Sequence, residues 1–243
     1  MEQVQQSKGT EQVQIGVFGD SISKGVVFQE EANRYGTVKK ELQAELHQWT
    51  DDLQVDNFSI MGCTIRKGLS VLQRHLPKIK KYQNVLLEFG GNDCDFDWKD
   101  VSEHPNVSHQ PNTPPEEFEA LYTEMIGEIR KQGGSPILLS LPPLDPQRYF
   151  NWISRNLNAA NILHWLGGVD TIYRWQEMYS MKVALLASKL SVPFIDFRSA
   201  FLERHHYGNL LCADGIHPNL EGHKLIYRTI RRQYHPCEAA VGC

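Results

Sequence analysis

The stretch QIGVFGDS, residues 14–21, decides the fold. Ile15, Gly16, Val17 and Phe18 form an apolar run too short for a helix, and Gly19-Asp20-Ser21 closes it, so residues 13–19 read as a buried strand. The pattern returns at residues 85–89, where Val-Leu-Leu-Glu-Phe runs into Gly90-Gly91-Asn92-Asp93. Between them, Ala32, Tyr35, Val38, Leu42, Leu46 and Trp49 recur at helical spacing. Residues 53–59 then alternate as a strand, with Leu53, Val55 and Asn57 on one face. Ile65, Leu69, Leu72, Leu76 and Ile79 make a second helical stripe, which Pro77 must end or kink.

Beyond the second strand-and-glycine block the alternation continues. A polar loop spans 94–112. Thr113 is placed to cap a helix, with Glu116 completing a capping box and Phe118, Leu121, Met125, Ile126 and Ile129 on its apolar face. Gly133-Gly134 stops that helix, and residues 137–141 are the fourth strand. Residues 144–168 read as irregular and rich in aromatics. A helix over 173–190, a fifth strand over 193–197 and a last helix after Pro218 complete the chain. Alternation of this kind means an α/β fold with a parallel sheet covered on both faces. Five strands suggest the flavodoxin-like order 2-1-3-4-5, with ligands bound beyond the carboxyl ends at the switch between strands one and three. The expected organisation is a tail over 1–12, one domain over 13–236 with an aromatic-rich insert at 142–175, and a tail over 237–243.

Composition narrows the function. The 243 residues are 41% hydrophobic and 22% charged, with net charge -4. That is globular composition without the basic excess that nucleic acid demands. No apolar run approaches the length of a membrane span, so membrane insertion is not expected. The polar start shows no secretory pattern, and five irregularly spaced cysteines do not form a disulfide framework. A cytoplasmic protein with reduced thiols is the expectation; oligomeric state is left open.

The segments expected at one end of the sheet carry a hydroxyl, an imidazole, a carboxylate and an amide. Ser21 needs a base to become nucleophilic, and His217 can take its proton and return it to the leaving alcohol. Asp214, three residues earlier, can hold the other ring nitrogen. The backbone N–H groups of Ser21 and Gly62 and the amide of Asn92 are candidate oxyanion donors. Asp20 reads as structural, holding its turn through backbone hydrogen bonds.

With Gly19-Asp20-Ser21, Gly62, Gly90 to Asp93 and Asp214 to His217 in this order, the chain resembles the SGNH, or GDSL, hydrolase family. Ile22 stands where leucine is commoner in that family. The resemblance implies a three-layer α/β/α sandwich and ester hydrolysis without a cofactor or metal. It assigns Ser21, Asp214 and His217 to the triad, and Ser21, Gly62 and Asn92 to the oxyanion hole.

Other readings are weaker. A phosphate loop at 19–25 fails because Lys24 precedes Gly25. A calcium loop at Asp93, Asp95 and Asp97 lacks its glycine and closing glutamate. Cys63, Cys94 and Cys212 lie beside site blocks and read as small core residues. The expected substrate is a small-molecule ester, acetyl to butyryl or carbohydrate-linked, with Trp152, Trp165 and Arg148 of the insert against it. The alternatives are a lysophospholipase or thioesterase acting on longer acyl chains, and a catalytically inactive carbohydrate-binding relative.

Overall fold

The structure is a computed structural model and describes residues 13–47 and 53–234. The tails expected over 1–12 and 237–243, with Trp49, Cys237 and Cys243, lie outside the described residues. Five parallel strands, β1 (Val13–Gly19), β4 (Leu53–Asn57), β5 (Asn84–Glu88), β6 (Ser135–Leu139) and β7 (Phe194–Ile195), form one sheet in the order β4-β1-β5-β6-β7. Counted along the chain this is 2-1-3-4-5. The order changes direction between β1 and β5, where Gly19 pairs in register with Glu88. Gly19-Asp20-Ser21 and Gly90 to Asp93 therefore leave the sheet side by side.

Side chains alternate across the strands. Phe18, Val85, Leu87 and Leu138 pack on one face against α2 (Ile65–Ile79), α4 (Pro115–Lys131) and α7 (Asp170–Lys189). Ile15, Val17, Leu86, Ile137 and Leu139 pack on the other, against α8 (Arg198–Leu202) and α9 (Leu220–Gln233). Burying each such side chain fully contributes about 1.5–3 kcal/mol, so both layers are held chiefly by this contact. A third cluster sits beside the site. It joins α3 (Trp98–Glu103), α5 (Pro146–Ile153) and α6 (Ala159–Leu166) through Trp98, Tyr149, Phe150, Ile162, Leu166 and Ile172.

Several expectations need correction. The helical stripe over residues 32–49 is helix only in its second half: β2 (Val26–Gln29) and β3 (Arg34–Thr37) form an antiparallel hairpin, and α1 begins only at Lys39 and ends at His47. Phe28 and Tyr35 face each other across it with ring centroids 5.3 Å apart, a cross-strand aromatic pair that outweighs local helical spacing. Thr113 does not cap α4. Pro114 holds the N-cap position, while Thr113 is fully buried and gives its backbone N–H to the Asp93 carbonyl. Residues 144–168 are not irregular, since they hold α5 and α6, and the polar loop contains α3. Pro77 lies inside α2, which stops two residues later at Ile79. The fifth strand is only two residues long.

Gly68 on α2 sits against the Phe89 ring, and a Cβ there would lie 2.3 Å from the ring's Cζ. Overpacking of this kind costs about 1–3 kcal/mol. Gly68→Ala should lower the urea midpoint accordingly, and an unchanged midpoint would mean that Phe89 can slide aside without loss.

Candidate active site

Ser21 sits on the tight turn after β1. The Lys24 N–H donates to the Asp20 carbonyl at 3.2 Å, and the Ile22 N–H to Asp20 Oδ1 at 2.8 Å. Asp20 thus holds the turn, as its backbone role predicts. From the loop before α9, His217 Nε2 lies 2.9 Å from Ser21 Oγ. Its Nδ1 lies 2.6 Å from Asp214 Oδ2. Asp214 Oδ1 accepts from the N–H groups of Ile216 and His217, each at 3.1 Å. A donor at Nδ1 leaves Nε2 with its lone pair toward the serine, which is the tautomer a base needs. Burial works against ionisation of Asp214, but the hydrogen bond and charge of His217 outweigh it and hold the carboxyl below its usual range. The three residues expected to form a triad are therefore in hydrogen-bonded sequence, and all three are buried.

Gly62 and Asn92 line the same cavity as Ser21 and His217. Gly62 has φ of +71°, a backbone conformation that glycine adopts without strain, and open space where a Cβ would stand. Asn92 Nδ2 donates to Asp20 Oδ2 at 2.9 Å and approaches the Cys63 carbonyl at 3.4 Å. Asp93 Oδ1 accepts from the Ile65 N–H at 2.9 Å and so ties the start of α2 to the end of β5. Burial pushes its carboxyl up to about 7.

The cavity is about 430 Å³. Its lining includes Phe96, Trp98, Trp165 and Trp175, with Leu141 and Ile172. Phe96 is central, its ring centroid 4.9 Å from Trp165 and 5.7 Å from both Trp98 and Trp175. Asp95 fixes two of the lining rings, accepting from Trp98 Nε1 and Tyr149 Oη at 2.7 Å each. Burial nonetheless pushes its carboxyl up to about 6.

Of the insert residues expected against substrate, Trp165 lines the cavity and the other two do not. Arg148 Nη1 donates to the Gly208 carbonyl at 2.7 Å and its Nε pairs with Asp145 at 3.3 Å, so it ties α5 to the 3-10 turn Tyr207–Leu210. Trp152 packs on the hairpin, 4.6 Å from the Phe28 ring, with the Arg155 guanidinium 3.4 Å over its own face. Both project from α5 away from the cavity wall. Phe96 and Trp98 were missed in the sequence, although the two aromatics lie only three and five residues after Asp93. Cys94 lines the cavity, while Cys63 and Cys212 are buried, and burial pushes both of those thiols up to about 11. None is poised as a thiolate.

Tyr35 was missed for a different reason, because its segment read as helix. Its hydroxyl donates to Asp214 Oδ2 at 3.1 Å, and its ring centroid is 5.1 Å from that of His217. The oxygen that orients the imidazole therefore has a second donor.

A model of the GDSL-like lipase/acylhydrolase family matches residues 17–225. The chain belongs to that family. It is 23% identical over 186 residues to the GDSL esterase/lipase WDL1 of Oryza sativa subsp. japonica, a match that spans 73% of this chain and 65% of the rice protein. Among solved structures, the lipase/acylhydrolase from Enterococcus faecalis superposes with a TM-score of 0.64 at 22% identity, covering 93% of this chain and 100% of that one. A catalytic mutant of Axe2, an acetylxylan esterase from Geobacillus stearothermophilus, gives 0.63 at 19% identity, covering 93% and 96%. At these identities the likeness is one of fold. Among the described residues no helix is long and apolar enough to cross a membrane.

Losing the Tyr35 phenol would leave Asp214 Oδ2 with one donor fewer. The carboxylate that orients the imidazole would then be held less firmly. Tyr35→Phe should keep the fold and lower kcat for ester hydrolysis about tenfold, a fraction of what a positioned base contributes, with little change in KM. A kcat that stays in place would make Tyr35 a packing residue alone.

Proposed function

We propose that the protein is a serine hydrolase of carboxylic esters that works through an acyl-enzyme. The observation that carries this reading is the unbroken chain Ser21 Oγ, His217 Nε2, His217 Nδ1, Asp214 Oδ2, with 2.9 and 2.6 Å at its two hydrogen bonds. In this mechanism His217 takes the Ser21 proton as Oγ attacks the ester carbonyl. The carbonyl oxygen becomes an oxyanion, held by the N–H groups of Ser21 and Gly62 and by the Asn92 amide. His217 then gives the proton to the departing alcohol. A water repeats the sequence on the acyl-enzyme and releases the acid. Asp214 stays ionised throughout and stabilises the imidazolium.

The same chain of hydrogen bonds favours an enzyme over an inactive carbohydrate-binding relative, because a binder has no use for a buried histidine aligned on a serine. Ser21→Ala should fold normally and lose several orders of magnitude in kcat, as removal of a nucleophile does elsewhere. A folded variant with near-native turnover would end the covalent reading.

For substrate, the cavity favours the longer alternative over the acetyl or butyryl group expected from the sequence. A volume of about 430 Å³ suits a ligand of many heavy atoms, and its wall is mainly aromatic and aliphatic. An acetyl group would leave most of that wall uncovered, whereas each further buried CH₂ contributes about 0.8 kcal/mol. The acyl group we infer is therefore a medium-length alkyl chain or a compact aryl group. The p-nitrophenyl octanoate ester should exceed the acetate in kcat/KM by at least about tenfold, a fraction of the full methylene gain. Trp165→Ala should move the optimum to longer chains. Acetate winning clearly would return the reading to short acyl groups.

A further inference from the structure

Glu88, the last residue of β5, carries a charged group with no place in the mechanism above. It is 1% exposed, as is Asp20. Glu88 Oε2 accepts from the Ser23 N–H at 3.3 Å and the Ser23 hydroxyl at 3.1 Å. Its other oxygen, Oε1, is buried and has no N–H or hydroxyl donor. Besides Ser23, the Glu88 carboxyl has the Asp20 carboxyl within reach, and both line the cavity that holds Ser21. Two carboxylates cannot serve each other as donors, and among the described residues no lysine or arginine forms an ion pair with either. Both carboxyls are pushed up, Asp20 well above its ordinary value, first by burial and then by the charge of Glu88. Two adjacent buried carboxyls without a cation cannot both ionise.

We propose that Asp20 and Glu88 share one proton and together act as positioning residues for the Asn92 amide beside the nucleophile. The inference rests on the acyl-enzyme reading for its kinetic consequence, though not for the proton. Asp20 carries the connection. Its Oδ1 is taken by the Ile22 N–H at 2.8 Å, so Oδ2 is what meets Asn92 Nδ2, at 2.9 Å. With one amide hydrogen fixed there, the other has only the 3.4 Å approach to the Cys63 carbonyl, at the long end of hydrogen bonding. That hydrogen is the one an oxyanion can claim. The shared proton also limits the pair to a single negative charge. Two charges at the same place would oppose the charge that develops on the substrate oxygen.

Other titratable groups face the pair. His217, from the loop before α9, lowers Asp20 by its charge. Cys63 on the β4–α2 loop, Asp93 after β5 and Tyr122 on α4 are each raised by burial first and, in smaller part, by the charge of Asp20 or Glu88. Of these only His217 can bring a positive charge, and for Asp20 it is outweighed by burial and by the charge of Glu88.

The proton can be read directly. Difference infrared spectra of the folded wild type against each variant, taken near neutral pH so that the other carboxyls cancel, should show a protonated carboxyl stretch. Asp20→Asn and Glu88→Gln should each remove it. The band is expected in Ser21→Ala as well, so the failure of the acyl-enzyme reading and the failure of this one are separate results. The kinetic arm uses three variants. Asp20→Asn sets an NH₂ group against either the Ile22 N–H or the Asn92 amide, and should cost about 10²–10³ in kcat with little change in KM, as loss of an oxyanion donor does. Glu88→Ala should lose a similar factor. Glu88→Gln, whose amide N–H can take the place of the shared proton, should recover most of that loss. Absence of the protonated band, or a Glu88→Gln as slow as Glu88→Ala, would overturn the proposal. If Asp20→Asn fails to fold, the contrast between the two Glu88 variants still decides it.

Discussion

A hydrogen bond between residues 196 positions apart, from Ser21 Oγ to His217 Nε2, is the constraint around which the molecule is arranged. It needs the turn after β1 and the loop before α9 to meet within a few tenths of an ångström. The sheet supplies one side of that precision, because β1 pairs in parallel with both β4 and β5 and Gly19 is held in register with Glu88. The other side comes from the Asp214 turn. There, two backbone N–H groups on Oδ1 fix the carboxylate before Oδ2 reaches the imidazole. A side chain held by three donors on one short turn has little freedom left, and the histidine inherits that order.

The elements that close the site come from outside the strand–helix alternation. The hairpin of β2 and β3 brings Tyr35 to Asp214. Helices α3, α5 and α6, with the start of α7, build the aromatic wall of the cavity. They are held together by their own cluster around Trp98, Tyr149 and Ile162. The sheet thus carries the groups that react, and the added elements shape what can reach them. Loops and insertions can change specificity in such an arrangement without disturbing the chemistry beneath.

Charge is handled differently on the two sides of Ser21. Asp214 is buried yet ionised, because its donors and the adjacent imidazole compensate it. Asp20 and Glu88 accept hydrogen bonds too, but burial outweighs them, Asp20 carries the charge of Glu88 besides, and both are pushed toward the neutral form. The same residue type therefore does opposite electrostatic work a short distance apart, and the difference lies in the partner each one faces, an imidazole for Asp214 and a second carboxyl for Asp20.

Much of this was legible in the chain. Short apolar runs that end in glycine and polar residues name the strands, since a buried parallel strand is apolar on both faces. Their order of appearance, with helical stripes between, leaves few topologies. That is why Ser21, Gly62, Asn92, Asp214 and His217 could be named together as groups beside strand ends, with the family resemblance assigning their roles. What depends on distant contacts was not legible. Residues 32–37 carry helical spacing, yet Tyr35 finds Phe28 and Asp214, and those tertiary partners outweigh the local pattern. Trp152 and Arg148 have the chemistry of substrate contacts, but the rotation of α5 turns them toward the hairpin and the 3-10 turn while Trp165 on α6 faces the cavity. The sequence by itself determined the sheet order and the candidate reacting groups, because both follow from local periodicity and from residues beside strand ends. Only the tertiary structure decided which aromatics face the cavity, how large it is, and which carboxyl keeps its proton. Each of those depends on which neighbours three-dimensional packing brings into contact and which waters it removes.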